Sequence, residues 1–409
     1  MGRIARHVSI LVLFMGLVAW KGASFNTMMI VPTGVGATIG GYAGDALPAA
    51  RLLAEVSDTL ITHPNVLNGA MLYWPMDNVL YVEGHALDEF AAGRLALEPL
   101  KEGSQRIGLL MDKGVEPDLR QRQLQVADGA RATLGLDVHA CVVTPREVGV
   151  ELSLSESGVS WGSLSDIPAL LEGAQELIDM GCTAIAVVAR FPEEEDDEKS
   201  DALFDSYRRG DGVDAIAGAE ALISHSITQK FYVPCAHAPA FDPMDVKYDV
   251  SPKAVAEELG YTFLPCVLAN LQRSPRLHRI NTAQAASASI LPDDAITAAD
   301  VDALVVPADC LGGPATLALL ATDCLVVAVE DNTTAMKVSR EAFPHANIVL
   351  VRSYLEAAGL VVAHKHTGAR MLGGSVAALE AGGVRAAVKA GISVDAVRGT
   401  VEALHAKVK

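Results

Sequence analysis

No stretch of the chain concentrates lysine or arginine. Acidic residues outnumber basic ones by 50 to 32, which leaves a formal net charge of −18 with histidine neutral. Nucleic acid and anionic membrane surfaces both require a positive field to offset phosphate repulsion, so neither is expected as a partner. Cysteine is scarce and scattered: Cys141, Cys182, Cys235, Cys266, Cys310 and Cys324 contain no C-x-x-C pair. An extracellular disulfide framework is denser and sits in a smaller domain, so the body reads as a reduced-compartment protein. An apolar run of the about 20 residues that cross a bilayer is also missing. The candidate nearest to one, Ser9 to Trp20, is too short, and no stable membrane span is expected in the mature chain. No internal repeat is evident.

What is present points to a globular body. Half of the 409 residues are hydrophobic, enough for a full core, and disorder is not an option. Arg3, Arg6 and His7 precede the Ser9–Trp20 run, and small residues lead to a cut before Phe25. This is the pattern of a removable targeting segment over residues 1–26. Together with a body that lacks a disulfide framework, it suggests delivery through the secretory route to a plastid, with the mature chain in the chloroplast stroma. The alternative is a cytoplasmic protein whose true start is Met28 or Met29.

Short apolar or β-branched runs alternate with Ala/Leu-rich stretches of helical spacing. Strands are expected at Met28–Val31, Thr59–Thr62, Val79–Val82, Ile107–Met111, Val138–Val143, Ala184–Ala189, Phe231–Pro234, Ala303–Pro307, Leu325–Val329 and Ile348–Val351. Near-continuous apolar strands separated by helices are the mark of parallel sheets covered on both faces. The expected class is α/β, mostly parallel, in two lobes: a main domain over residues 27–272, a polar connector over 273–300, and a second lobe with C-terminal helices over 301–409. Association into a homo-oligomer is left open. The acidic run Glu193–Glu198 reads as a solvated loop.

The opening segment MIVPTGVGATIGGYAGDA places five glycines between a strand and a helix starting near Pro48. Such a loop bends sharply and aims N–H groups at one point, a geometry suited to phosphate or carboxylate. Thr33, Gly34, Gly36, Gly40 and Gly41 are its candidate ligand-binding residues. The G-x-G-x-x-x-G spacing also allows a dinucleotide, yet the loop is long and no acidic ribose ligand ends the next strand, so an NADP-dependent oxidoreductase ranks lower. A structural loop is the competing reading.

Other candidates also follow strand ends. His63 and Asn65 come directly after the second strand, where a histidine can exchange a proton and an asparagine can orient a carbonyl. The aromatics of this aromatic-poor chain gather around Tyr73, Trp74 and Tyr81, with Glu83 and His85 just beyond; core packing explains the stripe equally well. His225, Cys235 and His237 are residue types that bind a divalent metal, with Glu220 as a fourth, while Cys235 paired with a histidine offers a nucleophile instead. Gly312 and Gly313 form a second small-residue loop, and Glu330 is placed to act as acid or base. The catalytic set is therefore His63, Cys235, His237 and Glu330. The expected ligand is a small anionic metabolite handled by acid/base or metal-assisted chemistry; a non-catalytic metabolite-binding or regulatory protein is the alternative.

The blocks PTGVGATIGGYAGDA, LITHPNVLNGAMLYWP, LYVEGHALDEFAAG, GVDAIAGAEALISH, VPCAHAPA and AEELGYTFLPCVLANL give the chain a resemblance to one family. It is similar to an uncharacterised family of cyanobacteria, algae and plant plastids, classed as a domain of unknown function. The resemblance spans about Met28 to His364. It implies a photosynthetic lineage and no established activity, so no residue role is carried over.

Overall fold

The computed structural model describes residues 24–42, 44–67, 75–101, 104–154, 160–192, 204–241, 246–258, 263–280 and 291–367. Most of the expected targeting segment, the acidic run and the C-terminal stretch beyond residue 367 lie outside them.

In chain order the first elements are β1 (Asn26–Met29), α1 (Leu47–Val56), β2 (Thr59–Thr62), α2 (Pro64–Leu67), β3 (Val79–Tyr81), α3 (Gly84–Ala91) and β4 (Leu95–Glu98). A middle section follows with β5 (Ile107–Met111), α4 (Pro117–Leu134), β6 (Val138–Val143), β7 (Val150–Leu154), β8 (Ser160–Leu164), α5 (Ile167–Asp179), β9 (Ala184–Arg190), α6 (Ala217–Phe231), β10 (Cys235–Ala240), α7 (Pro252–Glu258), α8 (Leu264–Leu271) and β11 (Arg276–Arg279). The chain closes with β12 (Val301–Pro307), α9 (Pro314–Leu319), β13 (Leu325–Val329), β14 (Ile348–Val351) and α10 (Tyr354–Thr367). Proline in the first turn opens α1, α4, α5, α8 and α9, where its missing N–H costs no helical bond. Gly135, at φ 68°, ends α4 in the left-handed conformation that glycine adopts without strain.

The fold is α/β, as the alternation predicts. A six-stranded parallel sheet runs in the order β14-β13-β12-β1-β2-β3, and a four-stranded parallel sheet in the order β10-β9-β5-β6. Period-two alternation sends Met29, Val305 and Val327 to one face of the larger sheet with Leu53 of α1 and Val361 of α10. Met28, Leu304 and Val326 go to the other, with Phe90 of α3 and Leu319 of α9. Full burial of one such leucine or phenylalanine contributes about 1.5–3 kcal/mol. The smaller sheet is covered the same way: Leu109 and Ala186 face α4 and α8, while Leu110 and Val187 face α5 and α6. A single apolar cluster contains residues of both sheets. Among the described residues no helix is long and apolar enough to cross a membrane.

The expected boundary between 27–272 and 301–409 crosses one sheet, since β12 lies beside β1, with Met28 opposite Leu304. The early and late thirds of the chain thus build one sheet, and the middle section is an insert bracketed by the antiparallel pair β4 and β11. The strand expected at Phe231–Pro234 is instead the end of α6: Tyr232, at φ 57°, caps the helix, and the strand starts at Cys235. His237 is therefore inside a strand rather than beyond its end.

Candidate functional site

In the larger sheet, β1 connects to β2 on one side and pairs with β12 on the other, and the helices that follow β1 and β12 cover opposite faces. A crevice must open at the C-terminal ends of two such strands, and this is where open α/β sheets bind ligands. A cavity of about 300 Å³ occupies that position. Pro32 and Thr33 reach it after β1, His63 after β2, Glu83 after β3, and Cys310 and Gly313 after β12. The inserted section supplies the other wall: Asp214, Glu220, Ser224 and His225 on or beside α6, and His237 from β10.

His63 is 7% exposed, and its Nε2 accepts the Val31 N–H at 3.0 Å. A ring nitrogen that accepts is unprotonated, so the proton of the neutral ring sits on Nδ1. Burial pushes its pKa down to about 4, against a smaller upward pull from Glu83. His63 is thus a neutral ring whose Nδ1 carries a hydrogen-bond donor.

Glu83 holds the site together. Its carboxylate caps α3 by accepting the Ala86 N–H at 3.0 Å and lies 3.0 Å from His225 Nε2. Ser224 Oγ lies 3.4 Å from the same carboxylate oxygen and 3.2 Å from His237 Nδ1, whose other nitrogen is 3.8 Å from Glu220. Burial alone would raise the Glu83 pKa, but the His225 hydrogen bond and charge, with the His85 and Ala86 N–H groups, hold it below the ordinary value. Burial alone would lower His225, and the Glu83 hydrogen bond and charge overcome it, so His225 stays protonated to higher pH. The ring is 39% exposed while its partner carboxylate is 1% exposed. An accessible imidazole oriented by a buried carboxylate can give and take a proton near neutral pH. His237 behaves like His63: burial pulls it down to about 4.

Of the residues expected from the sequence, His63, His237, His225, Thr33 and Gly313 line the cavity. Cys235 does not. It is fully buried in the apolar cluster with Ile223 and Ile227, and burial pushes its thiol well above the ordinary range. His225, Cys235 and His237 are therefore not a metal triad, and among the described residues no group of three or more His, Cys, Asp or Glu side chains is arranged to hold a metal ion. Glu330 is exposed after β13 and also outside the cavity. Asn65 lies on α2, and its side chain is outside the described residues.

The glycine loop is built into the scaffold. Thr38 N–H donates to Thr333 O, Ile39 N–H to Asn332 Oδ1 at 2.9 Å, and Gly40 N–H to Asp45 Oδ1 at 2.5 Å. A Cβ at Gly34 would lie 3.2 Å from Ser160 Cβ, and one at Gly36 would lie 3.1 Å from Val213 Cγ2. A Cβ at Gly41 would fall 2.3 Å from Ala37 O. These glycines permit close packing, and none of them lines the cavity. Gly312 likewise packs on Val338.

Sequence reasoning missed Asp88 and Asp214 and paired Glu83 with His85 rather than His225. The Glu83-Gly84 step before an apolar helix was a legible capping signal; the approach of α6 was not, since it joins segments about 140 residues apart.

Residues 26–371 match the family described as Protein of unknown function (DUF3326). The chain is 48% identical over 344 residues to a protein of Synechococcus sp. named Uncharacterized lipoprotein, an alignment that covers 84% of this chain and 92% of that protein. No solved structure is significantly similar to it. The resemblance carried by the sequence blocks is borne out, and the chain belongs to the DUF3326 family.

Proposed function

We propose that the chain is an enzyme that moves a proton on a small molecule held in the cavity. His225, oriented by Glu83, is the proton-transfer group, and the neutral His63 donates a hydrogen bond to an oxygen of the substrate. The observation that carries this reading is the 3.0 Å contact between a 1% exposed carboxylate and a 39% exposed imidazole at the switch point of the sheet. A buried carboxylate beside an accessible histidine fixes both the ring's orientation and its proton affinity. A neutral histidine donor opposite a base stabilises oxyanion character without placing a full charge near it. Reactions of this class include isomerisation and elimination next to a carbonyl.

Catalysis by Cys235 loses support from its burial. A dinucleotide reading loses support as well, because a diphosphate would face Glu83, Asp88, Asp214 and Glu220. For localisation, the leader pattern over residues 1–26 supports delivery to the plastid stroma, which an import assay with isolated plastids tests.

The test of activity is solvent deuterium exchange. The full chain is incubated in deuterated buffer with a defined mixture of small carbonyl and amino compounds, and mass shifts are read by mass spectrometry. One compound gains deuterium with the native chain, and His225→Asn slows that gain by about 10²-fold or more, the usual worth of a general acid/base. Equal exchange by both chains, or none by the native chain, rejects the reading.

A further inference from the structure

We propose that the cavity accepts a small ligand carrying a protonated amine, which sits against the carboxyls of Asp214 and Glu220, and an oxygen that accepts the Nδ1–H of His63. This ligand class rests on the proton-transfer reading of the same site.

The charge of the lining points this way. Among the described residues it contains four carboxyl groups, Glu83, Asp88, Asp214 and Glu220, and neither lysine nor arginine. Of the three histidines, His63 and His237 are kept neutral by burial, and the charge that His225 carries is matched by Glu83. Asp88, Asp214 and Glu220 have no cation of their own in the lining. Asp88 is partly satisfied by the Ala315 N–H at 3.1 Å, and Asp214 by the Ile216 N–H at 3.1 Å. Glu220 has His237 at 3.8 Å, which is too long for a direct hydrogen bond.

Burial and the nearby Asp214 and Glu257 carboxyls raise the proton affinity of Glu220, while burial pushes Asp214 up to about 6. Buried carboxyls that raise one another's proton affinity cannot all ionise without a partner charge. An ammonium group supplies that charge, and phosphate or carboxylate would add to the repulsion instead.

A second observation comes from the other wall. His63 is 7% exposed and spends Nε2 on the Val31 N–H, and no hydrogen bond joins Nδ1 to any described residue. An N–H without a protein partner on a residue that lines the cavity is a place for an acceptor atom of a ligand. The ligand charge proposed here is the opposite of the anionic metabolite expected from the sequence.

The test is isothermal titration calorimetry on the full chain with three probes of similar size: 3-amino-1-propanol, 1,4-butanediol and 3-hydroxypropanoate. The amine is expected to bind and the other two are not. Its affinity rises by about ten-fold between pH 5 and pH 8 as Asp214 and Glu220 give up protons, and the binding heat varies with the buffer because a proton is released. Glu83, Asp88, His225, His237, Glu257 and Tyr207 also face this region, so the pH dependence is assigned by variants. Asp214→Asn and Glu220→Gln, each checked for native circular dichroism, lower amine affinity about ten-fold and flatten the pH dependence. Tighter binding of 3-hydroxypropanoate, no amine binding at millimolar concentration, or amine binding indifferent to both variants overturns the proposal. Loss of exchange in His225→Asn without amine binding rejects the ligand class alone. Amine binding with unimpaired exchange in His225→Asn rejects the proton-transfer reading alone.

Discussion

Gly84 leaves open the space that the His225 ring fills: a Cβ at Gly84 would lie 2.9 Å from His225 Nε2, the atom that meets Glu83 at 3.0 Å. The helix start, the buried carboxylate and the imidazole are thus fitted to one another within a few atoms. Gly84→Ala tests this without replacing any cavity residue that exchanges a proton. Alanine is tolerated in the first turn of α3, whose Glu83 cap is unaltered, so melting temperature should move by only a few degrees. The ring, being the far end of a side chain, swings away and loses its carboxylate. Its pKa, now raised, should fall back toward 6.5 in a histidine NMR titration, and turnover should drop about ten-fold or more. A titration superimposable on that of the native chain contradicts the assigned geometry.

The neutral histidines predict how the fold responds to acid. His63 and His237 stay unprotonated in the folded chain down to about pH 4, whereas in the unfolded chain they protonate near 6.5. Between those values the unfolded chain binds more protons, so their contribution is complete above about pH 6.5 and is lost as pH falls toward 4. Each is worth at most roughly 3 kcal/mol. Asp214, raised to about 6, works in the opposite direction and favours the folded chain as pH falls. The comparison that isolates His63 is therefore His63→Gln, whose amide oxygen can still accept the Val31 N–H. Urea midpoints should show the native chain losing stability relative to this variant from pH 7 to pH 4, and parallel curves would rule out a buried neutral His63.

Most of the larger sheet was legible because its strands are short apolar runs with clear ends: Thr59–Thr62, Leu325–Val329 and Ile348–Val351 fall where the pattern puts them. Strands with mixed polarity were not, such as Ser160–Leu164 with its exposed Trp161, or Arg276–Arg279 with three basic residues in four. The larger difficulty was order in space. Apolar runs say which segments are strands, but β12 beside β1 is a pairing across more than 270 residues that no local pattern encodes. His63 lines the cavity, at the place after a parallel strand where the sequence sets it. Its tautomer depends on Val31 N–H, a contact between two strand ends, and could only be read from coordinates.

The glycine loop separates a scaffold role from a ligand role. Gly40 has φ 89°, and a Cβ there would lie 2.8 Å from Val31 Cγ1 on a fully buried side chain that has no room to yield. Gly40→Ala should therefore cost about 1–3 kcal/mol of stability from backbone strain, with further loss from the contact itself. Because the loop glycines do not line the cavity, ligand affinity measured well below the melting temperature should change less than two-fold. Stability and affinity falling together would restore the loop as a binding element.

Cys235 offers the complementary test inside the core. Its thiol is fully buried behind α6 and pushed well above the ordinary cysteine range, while Cys141, also pushed up to about 11 by partial burial, is exposed at the edge strand β6, so exposure is what separates them. The thiolate is the reactive form, so a thiol that is both covered and hard to ionise reacts only when the fold opens. Under native conditions a disulfide reagent should modify Cys141 first, leave Cys235 untouched by peptide mapping, and reach Cys235 only in denaturant. Cys235→Ala should leave turnover within about two-fold while destabilising the chain by roughly 0.5–3 kcal/mol, the range for a small loss of core volume. Turnover abolished in a Cys235→Ala chain that melts normally would instead make the thiol a participant, and would require the α6 and β10 wall of the cavity to open during the reaction.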